Sequence, residues 1–162
     1  MAIRKIRTIG DEILYKNCKP VKMMTPRMAQ IIEDMFDTMY ESNGVGLAGP
    51  QVGILKQVVV IDVEDGNQYV LINPEIIEEE GNQTGHEACL SVPGKTGIVT
   101  RPERVKVKAL NEKMEEYILE GEGMLARAIC HECDHLKGQL FVSVVEGELK
   151  DVSEVEEEEE ED

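Results

Sequence analysis

The sequence predicts an α+β fold in which antiparallel β-sheets pack around a C-terminal motif helix, with a second helix near the N-terminus. Its 162 residues suit one domain, and 41% apolar residues are enough for a single core. Helical periodicity is found near both ends of the chain, and the stretch between them is rich in β-forming residues. This order differs from the alternating pattern of a parallel sheet.

The N-terminal helix is expected to begin at Thr25-Pro26, where threonine can cap the helix and proline is tolerated in the first turn. Its end is expected at Ser42-Asn43-Gly44. The glycine-rich stretch 44–53 that follows is predicted to contain no regular element. Within the helix, apolar side chains recur at the spacing of one buried face, at Met28, Ile31, Ile32, Met35, Phe36 and Met39.

Strands are predicted for the middle of the chain, including a hairpin formed by 105–109 and 115–119, in which apolar residues alternate with lysines. The other predicted strands are 57–63, 69–72, 75–77 and 98–100. A second helix is expected from Gly123 to about Lys137, with Gly138 as its stop.

Charge limits the partners of this chain. Thirty-three acidic residues against 17 basic ones give a formal charge of −16, which argues against direct DNA binding and against docking on an anionic membrane. No stretch approaches the roughly 18 apolar residues of a membrane span, and no signal peptide is recognisable, so we expect a cytoplasmic protein. We expect 1–150 to form the domain and 151–162 to be a disordered acidic tail, because like charges repel.

The strongest local motif is His131-Glu132-Cys133-Asp134-His135 in the second predicted helix. Residues four apart share a helical face, so both imidazoles can bind one metal ion, and Glu132 can reach a water molecule beside it. A catalytic site of this kind needs a third protein ligand and one open coordination position. Cys89, in the segment Glu87–Ser91, is one candidate.

Two alternatives use other ligands. A metallopeptidase with an extended His-Glu-x-x-His motif would have histidine where this chain has Phe141, although a downstream glutamate could replace it. A non-catalytic structural zinc module could use Cys130 and Cys133 with another Cys or His, but there is no second Cys-x-x-Cys. The downstream glutamates available to a metallopeptidase are Glu146, Glu148 and Glu154.

Three segments together resemble the motifs of peptide deformylases, in that family's order and at roughly its spacing. They are Gly44-Val45-Gly46-Leu47-Ala48-Gly49-Pro50-Gln51, Glu87-Ala88-Cys89-Leu90-Ser91 and His131-Glu132-Cys133-Asp134-His135-Leu136. The resemblance covers about residues 1–145 and implies a catalytic domain that removes the formyl group from the N-terminal formyl-methionine of nascent polypeptides, releasing formate. It also implies one divalent ion, Fe²⁺ in the cell, with Zn²⁺, Ni²⁺ or Co²⁺ as replacements. N-formylmethionyl peptides are the implied substrates, and transient contact with the ribosome is a further expectation.

The resemblance assigns roles by position. Cys89, His131 and His135 match the metal ligands, and Glu132 matches the catalytic acid/base. The Gln51 side chain and the Leu90 backbone N–H match the groups that face the developing oxyanion. The implied substrate-binding residues are Gly44, Val45, Gly46, Glu87, Met124, Arg127 and Ala128; of these, Glu87 is expected to pair with Arg101 or Arg127.

Three positions depart from the family pattern: Gly49 replaces alanine, Ala88 replaces glycine and Cys130 replaces glutamine. If the family glycine has a positive φ, Ala88 would cost on the order of 1 kcal/mol and could shift Cys89. In that case the substitution would lower activity without loss of metal. His86 is expected at the protein surface or the rim of the pocket.

Overall fold

The N-terminal helix forms where the sequence predicts it. The computed structural model describes residues 2–155, and in it α1 spans Pro26–Glu41. Thr25 caps the helix by accepting a hydrogen bond from the Met28 N–H at 3.1 Å. The predicted apolar face is buried against the larger sheet, as shown by Met28, Ile31, Ile32, Met35 and Met39.

A five-stranded antiparallel sheet forms the centre of the fold, in the order β1-β2-β3-β6-β7. The predicted strands 69–72 and 75–77 are one strand, β3, with a register shift between Ile72 and Glu75. The central hairpin is present as predicted. The strand bounds are β1 Gly46–Ala48, β2 Val58–Ile61, β3 Tyr69–Glu80, β6 Arg104–Leu110 and β7 Glu116–Glu122.

The expectation that stretch 44–53 contains no regular element is wrong. Gly46–Ala48 pairs with β2, and Gly49–Val52 is a short 3₁₀ helix that ends at Gly53 with φ of 83°. Glycine weakens local structure, but hydrogen bonds to a buried neighbouring strand compensate here. This pairing places Gly46 directly beside the second helix.

A second, three-stranded antiparallel sheet has the order β4-β5-β8, formed by β4 (Gln83–Cys89), β5 (Val92–Arg101) and β8 (Glu146–Asp151). Neither β4 nor β8 was predicted. Both are polar, and β8 pairs with a strand that is distant in sequence, whereas β4 pairs with its neighbour β5 through an interrupted register. β8 crosses the expected boundary at 150/151, and Val155 beyond it is only 9% exposed. Of the expected acidic tail, 156–162 lies outside the described residues.

Helix α2 spans Met124–His135 and ends two residues before the predicted position. Its apolar face, including Ala126 and Ile129, packs against the five-stranded sheet. Gly138 follows with φ of 76°, a conformation that favours glycine. The predicted α+β class is confirmed: α1 and α2 pack on opposite faces of the five-stranded sheet, and α2 also contacts β5 of the smaller sheet. Within the part of the chain that the structure covers, no helix combines the length and apolar character needed to cross a membrane.

Candidate metal centre and active site

Three potential metal ligands come together between the end of β4 and helix α2. Their donor atoms, in Cys89, His131 and His135, all lie within 4.8 Å of one another. The Cys89 sulfur is 3.3 Å from His135 Nε2, and the centroids of the two imidazole rings are 5.0 Å apart. The helical spacing predicted from the sequence therefore brings both rings to one point, where β4 adds the thiol.

This donor set fits a divalent transition-metal ion. One thiolate and two imidazoles bind several such ions, and three protein ligands leave a position open to water or substrate. At this site, Glu132 Oε1 and His135 Nδ1 are buried and have no hydrogen-bond partner among residues 2–155; Asp37 Oδ2 in α1 is the other such side-chain atom in that range. Glu132 Oε1 lies 4.0 Å from His135 Nε2, so this unpaired oxygen faces the donor group. Such orphaned buried atoms are uncommon and indicate a missing polar partner.

A buried carboxylate orients the first histidine. Glu87 Oε1 lies 2.5 Å from His131 Nδ1, and the same carboxylate accepts hydrogen bonds from Arg101 at 2.6 and 3.1 Å and from Arg127 at 2.7 Å. Glu87 thus pairs with both arginines that the sequence suggested. Burial acts to raise the pKa of Glu87, but hydrogen bonds from His131 and Arg101 outweigh it and lower the pKa to about 2. A proton held on Nδ1 by this carboxylate leaves Nε2 free to bind a metal ion.

Glu132 lies beside the three donor atoms, and the pKa of its carboxyl group is raised. The side chain is buried, and burial raises its pKa to about 7. Its Oε2 is 3.9 Å from His131 Nε2. A carboxyl group with this pKa can both accept and donate a proton near neutral pH.

Gln51 is held in a fixed orientation. Its Oε1 accepts a hydrogen bond from the Ala48 N–H at 2.9 Å. Its Nε2 donates to Ser91 Oγ at 3.1 Å and lies 3.5 Å from the Cys89 sulfur. The amide N–H group therefore points toward the metal-ligand cluster. The contribution of Ser91 was missed in the sequence, because a serine in a turn has no distinguishing signal.

These groups line a cleft of 470 Å³. All the sequence-predicted site residues line it except His135, which is fully buried behind it. The predicted rim position of His86 is confirmed, because this side chain is exposed and lines the cleft. Further lining residues that the sequence did not indicate include Asn43, Val92, Pro93, Gly94, Lys95 and Val152.

The strain expected at Ala88 is not found. The non-glycine residues with positive φ in the described chain are Asn43, Glu64, Asn73 and Met114, so Ala88 is not among them. Ala88 belongs to strand β4, where extended backbone accepts alanine without cost. The condition under which this alanine would be strained is therefore not met.

The structural zinc alternative lacks support. Cys130 and Cys133 are buried in the core between α2 and the large sheet, and burial raises the pKa of each thiol to about 12. Within residues 2–155, the set of donors close enough to share a metal ion is Cys89 with the two histidines.

Within residues 2–155, neither of the third ligands that the metallopeptidase alternative requires, a histidine at 141 or a downstream glutamate, is found at the site. Phe141 stacks on the His131 ring with centroids 6.0 Å apart. The glutamates considered as substitutes, Glu146, Glu148 and Glu154, are exposed and outside the donor group.

The fold and the site together define a metal-dependent hydrolase. A family model described as polypeptide deformylase matches residues 3–151. The chain is 60% identical to the peptide deformylase of Agathobacter rectalis, over 94% of this chain and 96% of that protein. It resembles the crystal structure of a peptide deformylase from Legionella pneumophila, with a TM-score of 0.87 and 45% identity over 90% of this chain and 87% of that one.

A peptide deformylase from Synechococcus elongatus, solved in complex with actinonin, has a TM-score of 0.85 and 44% identity, over 88% of this chain and 78% of that one. The chain belongs to the peptide deformylase family. It is therefore a metal-dependent enzyme that removes the N-formyl group from nascent peptides.

Proposed function

We propose that this chain hydrolyses the formamide of N-terminal formyl-methionine by using Fe²⁺ held by Cys89, His131 and His135. The observation that carries the proposal is the approach of these three donors to within 4.8 Å of one another, beside a buried glutamate. A divalent ion bound there supplies Lewis-acid activation of water and of the formyl oxygen. Fe²⁺ is the proposed ion in the cell, and Zn²⁺, Ni²⁺ and Co²⁺ suit the same donors.

Glu132 is proposed as the acid/base. It takes a proton from the attacking water as the water oxygen bonds to the formyl carbon, and then gives that proton to the nitrogen as the C–N bond breaks. Formate and a free amine result. A buried carboxyl with a pKa of about 7 supports both steps, because either protonation state is accessible near neutral pH.

Gln51 Nε2 and the backbone N–H of Leu90 are proposed to stabilise the negative charge that develops on the formyl oxygen. Removal of one such donor costs about 3 kcal/mol in related acyl-transfer enzymes. The orientation of Gln51, set by hydrogen bonds to Ala48 and Ser91, supports this role because no reorganisation is then needed during reaction.

The methionine side chain is proposed to occupy the apolar part of the cleft. Val45 and Met124 are 41% and 56% exposed although both are large and apolar, which is typical of side chains that contact a ligand. Ala128 and the stem of Arg127 complete this wall. Gly44 and Gly46 carry no side chains, which leaves room for Leu90 and Glu132 beside them. The N–H and C=O groups of Gly46 are proposed to bond the backbone of the peptide, and Gly44 is proposed to lie beside it.

The test is formate release from formyl-Met-Ala by protein purified anaerobically, with metal content measured on the same sample. We expect formate and free Met-Ala in equal amounts, with about one metal ion per chain. The proposal would be contradicted by a protein that binds this ion but releases no formate, or that cleaves the peptide bond between methionine and alanine. Apo-protein reloaded separately with Fe²⁺, Zn²⁺, Ni²⁺ or Co²⁺ identifies which ion gives the highest turnover.

We also propose that the enzyme acts in the cytoplasm and makes transient contact with the ribosome, because nascent chains present the substrate there. Co-sedimentation with ribosomes translating a formylated peptide, compared with empty ribosomes, tests this contact. Equal amounts of enzyme bound to both would contradict it.

A further inference from the structure

The wall of the cleft includes a residue from the C-terminal part of the chain. Val152 follows strand β8, is 36% exposed and lines the cleft together with Pro93 and Gly94 of β5. This wall differs from the proposed methionine pocket, which is formed by α2 and Val45. The cleft therefore has an apolar surface that the proposed chemistry does not use.

Both flanks of Val152 are anchored. On one side, β8 pairs with β5, so that Asp151 lies opposite Lys95 and forms an ion pair with it. On the other side, Val155 is only 9% exposed. A side chain held between two anchored neighbours loses little freedom when a ligand contacts it.

A break in the register between β4 and β5 brings this wall to the catalytic groups. Ala88 pairs with Thr96 whereas Cys89 pairs with Val92, so Pro93, Gly94 and Lys95 bulge out of the β4-β5 ladder. Gly94 has φ of 75°, as a tight bulge requires. The bulge thus runs from the cysteine ligand toward Val152.

We propose that Val152 and Pro93 form an apolar subsite for the side chain of a substrate residue that follows formyl-methionine. The proposal rests on the deformylase function given above. Both groups are apolar and exposed inside a cleft that admits a peptide, and burying them against an aliphatic side chain is favourable. Val152 is then a specificity-determining residue, although it lies beyond the catalytic domain that the sequence predicted, 1–150.

The test compares Val152→Asp with Val144→Asp in the full chain. Val144 is a matched control because it is 42% exposed and does not line the cleft. Substrates are formyl-Met-Ala and a set of formyl-Met tetrapeptides with leucine or serine at the second, third or fourth position. For the parent protein we expect leucine to be favoured over serine at one of these positions by about tenfold in kcat/KM.

Val152→Asp is expected to abolish this preference by raising KM for the leucine-containing peptides, with a smaller effect on formyl-Met-Ala. Val144→Asp should keep the preference for leucine, and so should the conservative variant Val152→Ile. An unchanged preference in Val152→Asp, an equal loss for formyl-Met-Ala, or no preference in the parent would overturn the subsite. Absence of formate release by the parent would instead contradict the proposed function, so the two failures are distinguishable.

Discussion

Replacing Gly46 with alanine tests whether the position of Glu132 governs turnover. The new methyl group would lie 2.6 Å from Glu132 Oε2 and 3.0 Å from its Cγ, where ordinary contacts begin at 3.4 Å. The carboxylate must therefore move by about 0.8 Å. A misplacement of about 1 Å at a catalytic group can cost about 100-fold in rate, equivalent to about 2.7 kcal/mol of transition-state stabilisation.

The variant should nevertheless fold. The φ of Gly46 is outside the left-handed region, and the clash is with the end of a side chain and not with backbone. We expect kcat/KM for formyl-Met-Ala to fall about 100-fold, with metal content unchanged and the free energy of unfolding changed by less than about 1 kcal/mol. Formate release and urea unfolding measure these two quantities.

Gly85→Ala is the matched control, because its methyl group would meet nothing closer than Arg127 Nη2 at 3.6 Å. It should keep activity within about twofold of the parent. A Gly46→Ala protein that turns over within threefold of the parent would refute the argument that the Glu132 carboxylate needs this space.

Four further changes have defined outcomes. Glu132→Gln should keep its metal and lose about 10²- to 10⁴-fold in turnover, and near-normal rates would reject the acid/base role. Cys89→Ala should lose most of its metal after anaerobic purification, and full metal content would exclude it as a ligand. The lowered pKa of Glu87 implies stability that is present above pH 4.5 and lost as pH falls toward 2, so Glu87→Gln should flatten the acid-unfolding profile in that window. Gly138→Ala should lower the free energy of unfolding by more than about 1 kcal/mol, because φ is 76° and the methyl group would collide with the Tyr15 backbone; an unchanged urea midpoint would contradict this.

Helices and ligand spacing could be predicted from the sequence because they depend on local periodicity. The stripe from Met28 to Met39 repeats at the helical period, and the same period places His131 and His135 on one face. Strands in polar segments could not be predicted in this way. Both β4 and β8 depend on pairing with β5. β8 is far from β5 in sequence, and β4, although next to β5, has few apolar residues to indicate a strand.

By itself, the sequence determined which chemical groups are available to the site. They are two imidazoles and a carboxylate on one helical turn, and a cysteine thiol as a candidate for the third ligand. Only the tertiary structure decided how these groups meet. It brought the Cys89 sulfur to 3.3 Å from His135 Nε2, joined Glu87 to two arginines and His131, and placed Val152 in the cleft wall. The physical reason is that local patterns report the conformation of neighbouring residues, whereas contacts between distant segments depend on how whole sheets and helices pack.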